Sequence, residues 1–305
     1  MKVKKNIFFT CAIWFILPAF VLYTLLMIVP IFSSLIQSLY KLDDARRQVF
    51  SGLSNYVKLL TEPKWSEQLW RALGNSFRFF LINMFVQNPI ALLLAALLST
   101  KTKGSHLYRT VLYLPVFLSL VMVAFVWQMM LNPTWGIAKD FLGLFGLKSL
   151  FQPWLGQKSS ALNVLSLVSA WQNLGVPTLL YYASFLQIST ELIEASKVDG
   201  ANSFYTFWHI KIPMVMPMIA TVSLMTYLYN FNAFDLIYAI KGPMAGPDYS
   251  TDTMMSFFFR TFYGHELQQP NAPMGATVAC VILIILLGGL FIYMIWNKRA
   301  NKKLG

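Results

Sequence analysis

Two stretches of this chain set amides, aromatic rings and a carboxylate inside otherwise apolar sequence. One is Trp171-Gln172-Asn173, followed by Gly175 and Pro177; the other runs from Tyr227 through Tyr229, Asn230 and Asn232 to Asp235. Trp127-Gln128 sets a further indole beside an amide. Such groups serve non-covalent recognition. Parts for other chemistry are missing. His106, His209 and His265 are scattered, none stands at metal-ligand spacing from Cys, Asp or Glu, and no His-Glu-x-x-His occurs, so no metal is expected. No Gly-x-x-x-x-Gly-Lys-[Ser/Thr] phosphate loop occurs either, so the chain is expected not to hydrolyse ATP and not to be an enzyme.

The elements that hold these residues are membrane helices. The chain has 305 residues, 57% hydrophobic and only 12% charged, about half the charge of an ordinary soluble domain, with a mean hydropathy of +0.56. That composition excludes a soluble enzyme, a disordered scaffold and a nucleic-acid binder. The net charge of +12 fits basic flanks around membrane spans. A bilayer core of about 30 Å needs roughly 20 helical residues, and six runs qualify: Ile7–Ile36, Leu73–Leu98, Val111–Leu131, Leu162–Leu186, Met214–Ile240 and Ala276–Trp296. The first is too long for a cleaved signal and lacks an Ala-x-Ala-like site, so it reads as an uncleaved helix. Cys11 and Cys280 fall inside such runs as small apolar side chains. The expected fold is an all-α integral membrane protein of six spans, with no soluble domain and no internal repeat.

An even number of spans puts both termini on one side. Lysines at positions 2, 4 and 5 and the basic tail 297–305 place that side in the cytoplasm, although the outer loop from Lys41 to Arg71 is itself rich in basic residues. Asp140, Asp248, Asp252 and Glu266 then belong to outer loops and are expected to be solvated. A mid-helix Asp costs about 2.5–3.5 kcal/mol on insertion scales, so the polar groups of spans four and five should face a bundle interior or a watery cavity. Asp235 has a second option at the membrane surface near the end of its span. Asn230 and Asn232 have one in interhelical hydrogen bonds.

The inner segment 187–213 is long for a tight bundle. It predicts two short helices: Ser189 or Thr190 caps the first, Asp199-Gly200 stops it, and Asn202 or Ser203 starts the second. Phe204, Phe207 and Trp208 then share a face at i, i+3 and i+4. That face must bury itself against this chain's own helix ends or against a separate subunit.

Within this segment Glu194-Ala195-Ser196, Gly200, Ile210 and Ile212-Pro213 keep one spacing. It resembles the EAA motif of the permease subunits of binding-protein-dependent ABC importers: Glu-Ala-Ala, three residues, Gly, nine residues, Ile-x-Leu-Pro. Ser196 replaces the second Ala and Ile212 the Leu, both small changes. Leu112-Tyr-Leu-Pro115, Trp127, Pro153-Trp154-Leu155, Trp171 with Gly175, Phe231-Asn232-Ala-Phe234-Asp235 and Ser250-Thr251 extend the likeness from about residue 70 to the end. They point to the carbohydrate branch, the MalF-like and UgpA-like permeases.

The resemblance implies a type I ABC importer permease fold. Its first helix and outer loop would occupy 1–72, its transmembrane core 73–296 and its basic tail 297–305. It implies a second permease subunit in a heterodimer, two ATPase subunits that carry ATP and Mg, and an extracellular sugar-binding protein, in a prokaryotic plasma membrane. The segment 187–213 would be the loop that couples to the ATPase, with Glu194 and Gly200 foremost, and Ala195, Ser196, Asp199, Phe204, Phe207, Trp208, Ile210 and Pro213 around them. Sugars are bound by ring faces with amide and carboxylate hydrogen bonds, so Trp127, Gln128, Trp171, Asn173, Tyr227, Tyr229, Asn230, Asn232 and Asp235 are the pathway candidates. The competing reading is a secondary transporter driven by an ion gradient, which would need ionisable groups deep in the bundle.

Overall fold

A computed structural model describes residues 14–100 and 105–304; Cys11, the N-terminal lysines, Lys101 and Lys103 lie outside them. The chain forms two compact units, one of Met1–Ser66 with Phe258–Val281, the other of Glu67–Phe257 with Ile282–Gly305.

In the first unit, helix α1 (Trp14–Gln37) leads into a short hairpin, β1 (Tyr40–Leu42) and β2 (Gln48–Phe50), paired antiparallel with Tyr40 opposite Phe50. This hairpin is an exception to the all-α expectation. Asn55, on α2 (Ser54–Thr61), is buried beneath it. Its amide donates to the carbonyls of Ser38 (3.1 Å) and Tyr40 (2.5 Å), fixing the exit of α1.

The second unit holds α3 (Pro63–Leu98) from Glu67 onward, α4 (Ser105–Tyr113), α5 (Leu120–Met130), α6 (Ala138–Leu144), α7 (Ala161–Gln172), α8 (Gly175–Leu186) and α9 (Thr190–Val198). It continues with α10 (residues 203–231) and α11 (Asp235–Lys241). Helix α12 (Met254–Tyr263) and α13 (Ala272–Leu304) complete the chain. Ala91 and Ala95, one turn apart on α3, let Tyr181 and Phe185 of α8 and Val215 and Val222 of α10 close into one buried cluster.

Among the described residues four helical stretches are long and apolar enough to cross a membrane: Trp14–Gln37, Pro63–Leu98, Ser203–Lys241 and Ala272–Lys298. The other two runs are not single helices. Run Val111–Leu131 is bent by 97° between Leu107–Phe117 and Leu120–Met130. Pro115 sits in a tight 3-10 turn, Leu118 is extended, and the Ser119 hydroxyl caps α5 by accepting from the Met122 N–H at 3.3 Å. Run Leu162–Leu186 becomes α7 and α8, each of 12 residues, broken at Asn173-Leu174. There Gly175 allows a close approach: a Cβ on it would stand 2.7 Å from the Tyr113 ring.

Three π-helical turns, Thr24–Ile28, Asn83–Gln87 and Phe207–Lys211, each end two residues before a proline (Pro30, Pro89, Pro213). A proline ring clashes with the carbonyl four residues back. That carbonyl lies inside the π turn each time, where the wider winding takes it out of the way.

One outer-loop expectation is corrected. Asp252 is fully buried, not solvated. The Asn75 amide donates to the carbonyls of Ser250 (3.1 Å) and Asp252 (2.9 Å), and the Met254 N–H donates to the Ser76 hydroxyl at 2.9 Å, so α3 pulls this segment inward. Asp248 stays exposed and meets Lys158 at 2.5 Å, which holds its carboxyl below the usual value.

Candidate functional site

The segment 187–213 folds as its residue types require. Ser189 caps α9 by accepting from the Glu191 N–H at 3.2 Å, and Asn202 caps α10 by accepting from Tyr205 at 2.8 Å. Between them Gly200 has φ +80°. The Gly200 N–H bonds to Lys197 O (3.1 Å) and the Ala201 N–H to Ser196 O (2.9 Å), the paired bonds of a Schellman stop. The Ser196 hydroxyl, buried between the two helices, lies 3.3 Å from that of Thr206.

The second helix of this loop is not separate. It passes through the π turn Phe207–Lys211 and on past Pro213 into the rest of α10, a stretch long and apolar enough to cross a membrane. The three aromatic residues divide. Phe207 packs inward against Phe185 at 6.4 Å, while Phe204 and Trp208 stay exposed, 6.2 Å apart. Leu192, Val198 and Tyr205 are exposed as well, so the loop presents a broad apolar surface. Glu194 and Asp199 are exposed, and Glu194 has no side-chain partner among the described residues. Ala195 is exposed beside it, Ile210 is half-buried, and Pro213 begins the regular part of α10.

Two cavities near the helix breaks gather candidate residues. One, of about 260 Å³, is lined by Gln87, Asn173, Pro177, Met225, Thr226, Tyr229 and Asn230, among others. The second, of about 200 Å³, is lined by Ser169, Tyr229, Asn232, Phe234 and Asp235, among others. Tyr229 borders both. Its phenol oxygen accepts from the Asn173 amide at 3.2 Å, leaving the phenol O–H to donate. Asn230 is buried; its amide N–H donates to Thr226 O at 2.6 Å, while its Oδ1 has no partner among the described residues. A buried acceptor without a donor is costly.

Asn173, Tyr229 and Asn230 thus converge on one cavity, and Asn232 and Asp235 join Tyr229 at the other. Asp235 is exposed at the start of α11 rather than deep among helices. Trp127 and Trp171 meet edge to face at 5.5 Å without lining either cavity. Two candidates are engaged elsewhere. The Gln128 amide donates to the Ile240 carbonyl at 2.9 Å, closing the end of α11. Tyr227 donates to Ile285 O at 2.6 Å, and its ring packs on Phe80 and Phe231.

Two residues of the larger cavity and one behind it escaped the sequence reading. The Gln87 amide donates to Asn173 O at 3.1 Å, and Asn88 and Thr226 exchange hydrogen bonds at 3.0 and 3.2 Å while buried. The available signal was Gln87-Asn88-Pro89 inside an apolar run, the same pattern of amides and proline as in span four.

The architecture has known counterparts. The chain is similar to a probable ABC transporter permease protein, YurN, of Bacillus subtilis (strain 168), 32% identical over 95% of this chain and 96% of that one. It is 29% identical to LacF of Rhizobium radiobacter, a lactose transport system permease protein, over 89% of each chain. Its fold matches a subunit in the crystal structure of a bacterial alginate ABC transporter in complex with an alginate pentasaccharide-bound periplasmic protein. There the TM-score is 0.81 with 19% identity, covering 98% of this chain and 96% of the other. Residues 87–304 match the family described as binding-protein-dependent transport system inner membrane component. With more than two thirds of its length inside that match, the chain belongs to this family of multi-pass inner membrane permeases.

Proposed function

We propose that this chain is the permease subunit of an ABC importer for a carbohydrate, supplied by an extracellular binding protein and driven by two ATPase subunits that hold ATP and Mg. It pairs with a second, different permease. The observation that carries the carbohydrate reading is the cavity pair around Tyr229, where a ring, amides and a nearby carboxylate offer both ring-face contact and hydrogen bonds. LacF, a relative named for lactose, supports the same class.

In this reading the loop 187–213 is the coupling element. Gly200 and the two caps shape it, Phe204 and Trp208 supply apolar contact with the ATPase, and Glu194 supplies an open charge toward it. ATP binding closes the ATPase pair and draws the two permeases' loops together. Because the loop is continuous with α10, the motion travels as a rigid-body rotation to Tyr229, Asn230 and Asn232. Broken helices around a central site suit such alternating access. Both termini and the loop face the cytoplasm. The first helix and its outer loop (1–72), the core (73–296) and the tail (297–305) form its functional segments.

Mild solubilisation from native membranes tests the assembly: an ATPase and a second permease should copurify. Reconstitution with the binding protein then tests the cargo, with ATP-dependent uptake of a labelled oligosaccharide expected. A chain that emerges alone and moves solute on an ion gradient would replace this reading with a secondary transporter.

A further inference from the structure

Helix α6 turns an apolar stripe outward. Ile137, Phe141, Leu144 and Phe145 recur at i, i+4, i+7 and i+8, one face of a helix, and each is 60–82% exposed. The rings of Phe141 and Phe145 meet edge to face at 5.4 Å. Lys139 lies on the opposite face, and Asp140 pairs with Lys148 at 3.9 Å. The stripe is held in shape from within: Gly146 has φ +71°, and the Leu147 N–H returns to Leu142 O at 2.9 Å, closing the helix.

The start of α6 identifies what covers the stripe. The Gly136 N–H bonds to Asn132 O at 3.0 Å. A Cβ on Gly136 would stand 2.5 Å from that oxygen and 2.6 Å from the carbonyl oxygen of Met130, the last residue of α5. The chain therefore folds back onto the end of α5, and α6 begins at the level where that apolar helix stops. Val121, Met122 and Phe125 on α5 are exposed in the same manner. An exposed apolar stripe with lysines on its other sides and an exposed tryptophan, Trp135, at its entry has the composition of a helix lying at a membrane surface.

We propose that α6 is an interfacial helix. Its stripe lies in the boundary between lipid headgroups and acyl chains, and Lys139 and Lys148 reach the phosphates. Anchored in this way, α6 fixes the depth of α5, the half of span three that carries Trp127. The proposal holds whatever solute is carried.

Nitroxide labels at Leu144→Cys, Phe145→Cys and, as reference, Lys139→Cys test it, in a background with Cys11→Ser and Cys280→Ala. The assembled transporter is placed in lipid nanodiscs, without and then with its binding protein, and collision with oxygen and with a water-soluble nickel chelate is measured. Expected are high oxygen and low nickel access at 144 and 145, the reverse at 139, and no change on adding the binding protein. Nickel access at 144 and 145 equal to that at 139 would overturn the proposal. So would exclusion of both reagents, which marks cover by another subunit, or shielding that appears only with the binding protein.

Discussion

Ser196 and Thr206, ten residues apart, bring their hydroxyl oxygens within 3.3 Å in the buried seam between α9 and α10. This contact closes the loop on itself, and it exists because Ser stands where the resembled motif has Ala. Replacing Ser196 with Ala removes this contact and the hydrogen bond that the same hydroxyl donates to Ile193 O at 2.8 Å, together worth about 1–2 kcal/mol. ATPase copurification should then survive and uptake should fall no more than threefold. Ser196→Leu, by contrast, forces a branched side chain into the seam and should abolish ATPase retention on the column. Equal behaviour of the two variants would show that the seam does not shape the loop.

Gly200 poses a different test, because a Cβ there meets nothing within 4 Å. Space is free; only the φ of +80° disfavours a side chain. Left-handed backbone costs an ordinary residue about 1–2 kcal/mol, and Asn tolerates it better than most. Uptake should therefore rank Gly200→Asn above Gly200→Ala, and both above Gly200→Val. If Val matches Asn, the conformation is not what the glycine supplies.

Two tyrosines two positions apart in α10 should separate cleanly. Tyr229 borders both cavities and accepts from Asn173, so Tyr229→Phe removes a polar contact at the proposed sugar site. The apparent KM for uptake should rise about 3–10-fold, the equivalent of one net hydrogen bond, with little change in Tm. Tyr227 donates instead to the backbone of α13. Tyr227→Phe should lower stability by about 1 kcal/mol and leave KM alone. Proteoliposome uptake and thermal unfolding, run on both variants, decide it.

What could be read in advance was local. The caps at Ser189 and Asn202 and the stop at Gly200 each depend on residues within a few positions, so type and spacing sufficed. The 97° bend hid in a run whose apolar average is uniform, although Pro115 and Ser119 mark it once a break is sought. Long-range pairing was beyond reach. Asn88 finds Thr226 across 138 residues, and Asp252 is drawn inside by Asn75 across 177. Aromatic residues were the hardest to sort, because Tyr227 and Tyr229 differ only in the side of α10 they occupy, and that side depends on where α13 packs.

That packing yields the last prediction, from two adjacent glycines in α13. A Cβ on Gly289 would stand 2.2 Å from the Tyr227 ring, whereas one on Gly288 meets nothing within 4 Å. The ring cannot swing away, because Phe80 and Phe231 hold it at centroid distances of 5.6 and 4.7 Å. Overpacking of this kind costs about 1–3 kcal/mol, so Gly289→Ala should lower Tm markedly. Gly288→Ala trades a flexible helix residue for the best helix former and should be neutral or stabilising, by up to about 1 kcal/mol. Shrinking the obstacle should rescue the first change: Gly289→Ala with Tyr227→Leu should unfold at a higher temperature than Gly289→Ala alone. A double variant no better than the single one would mean that α13 meets α10 through some other contact.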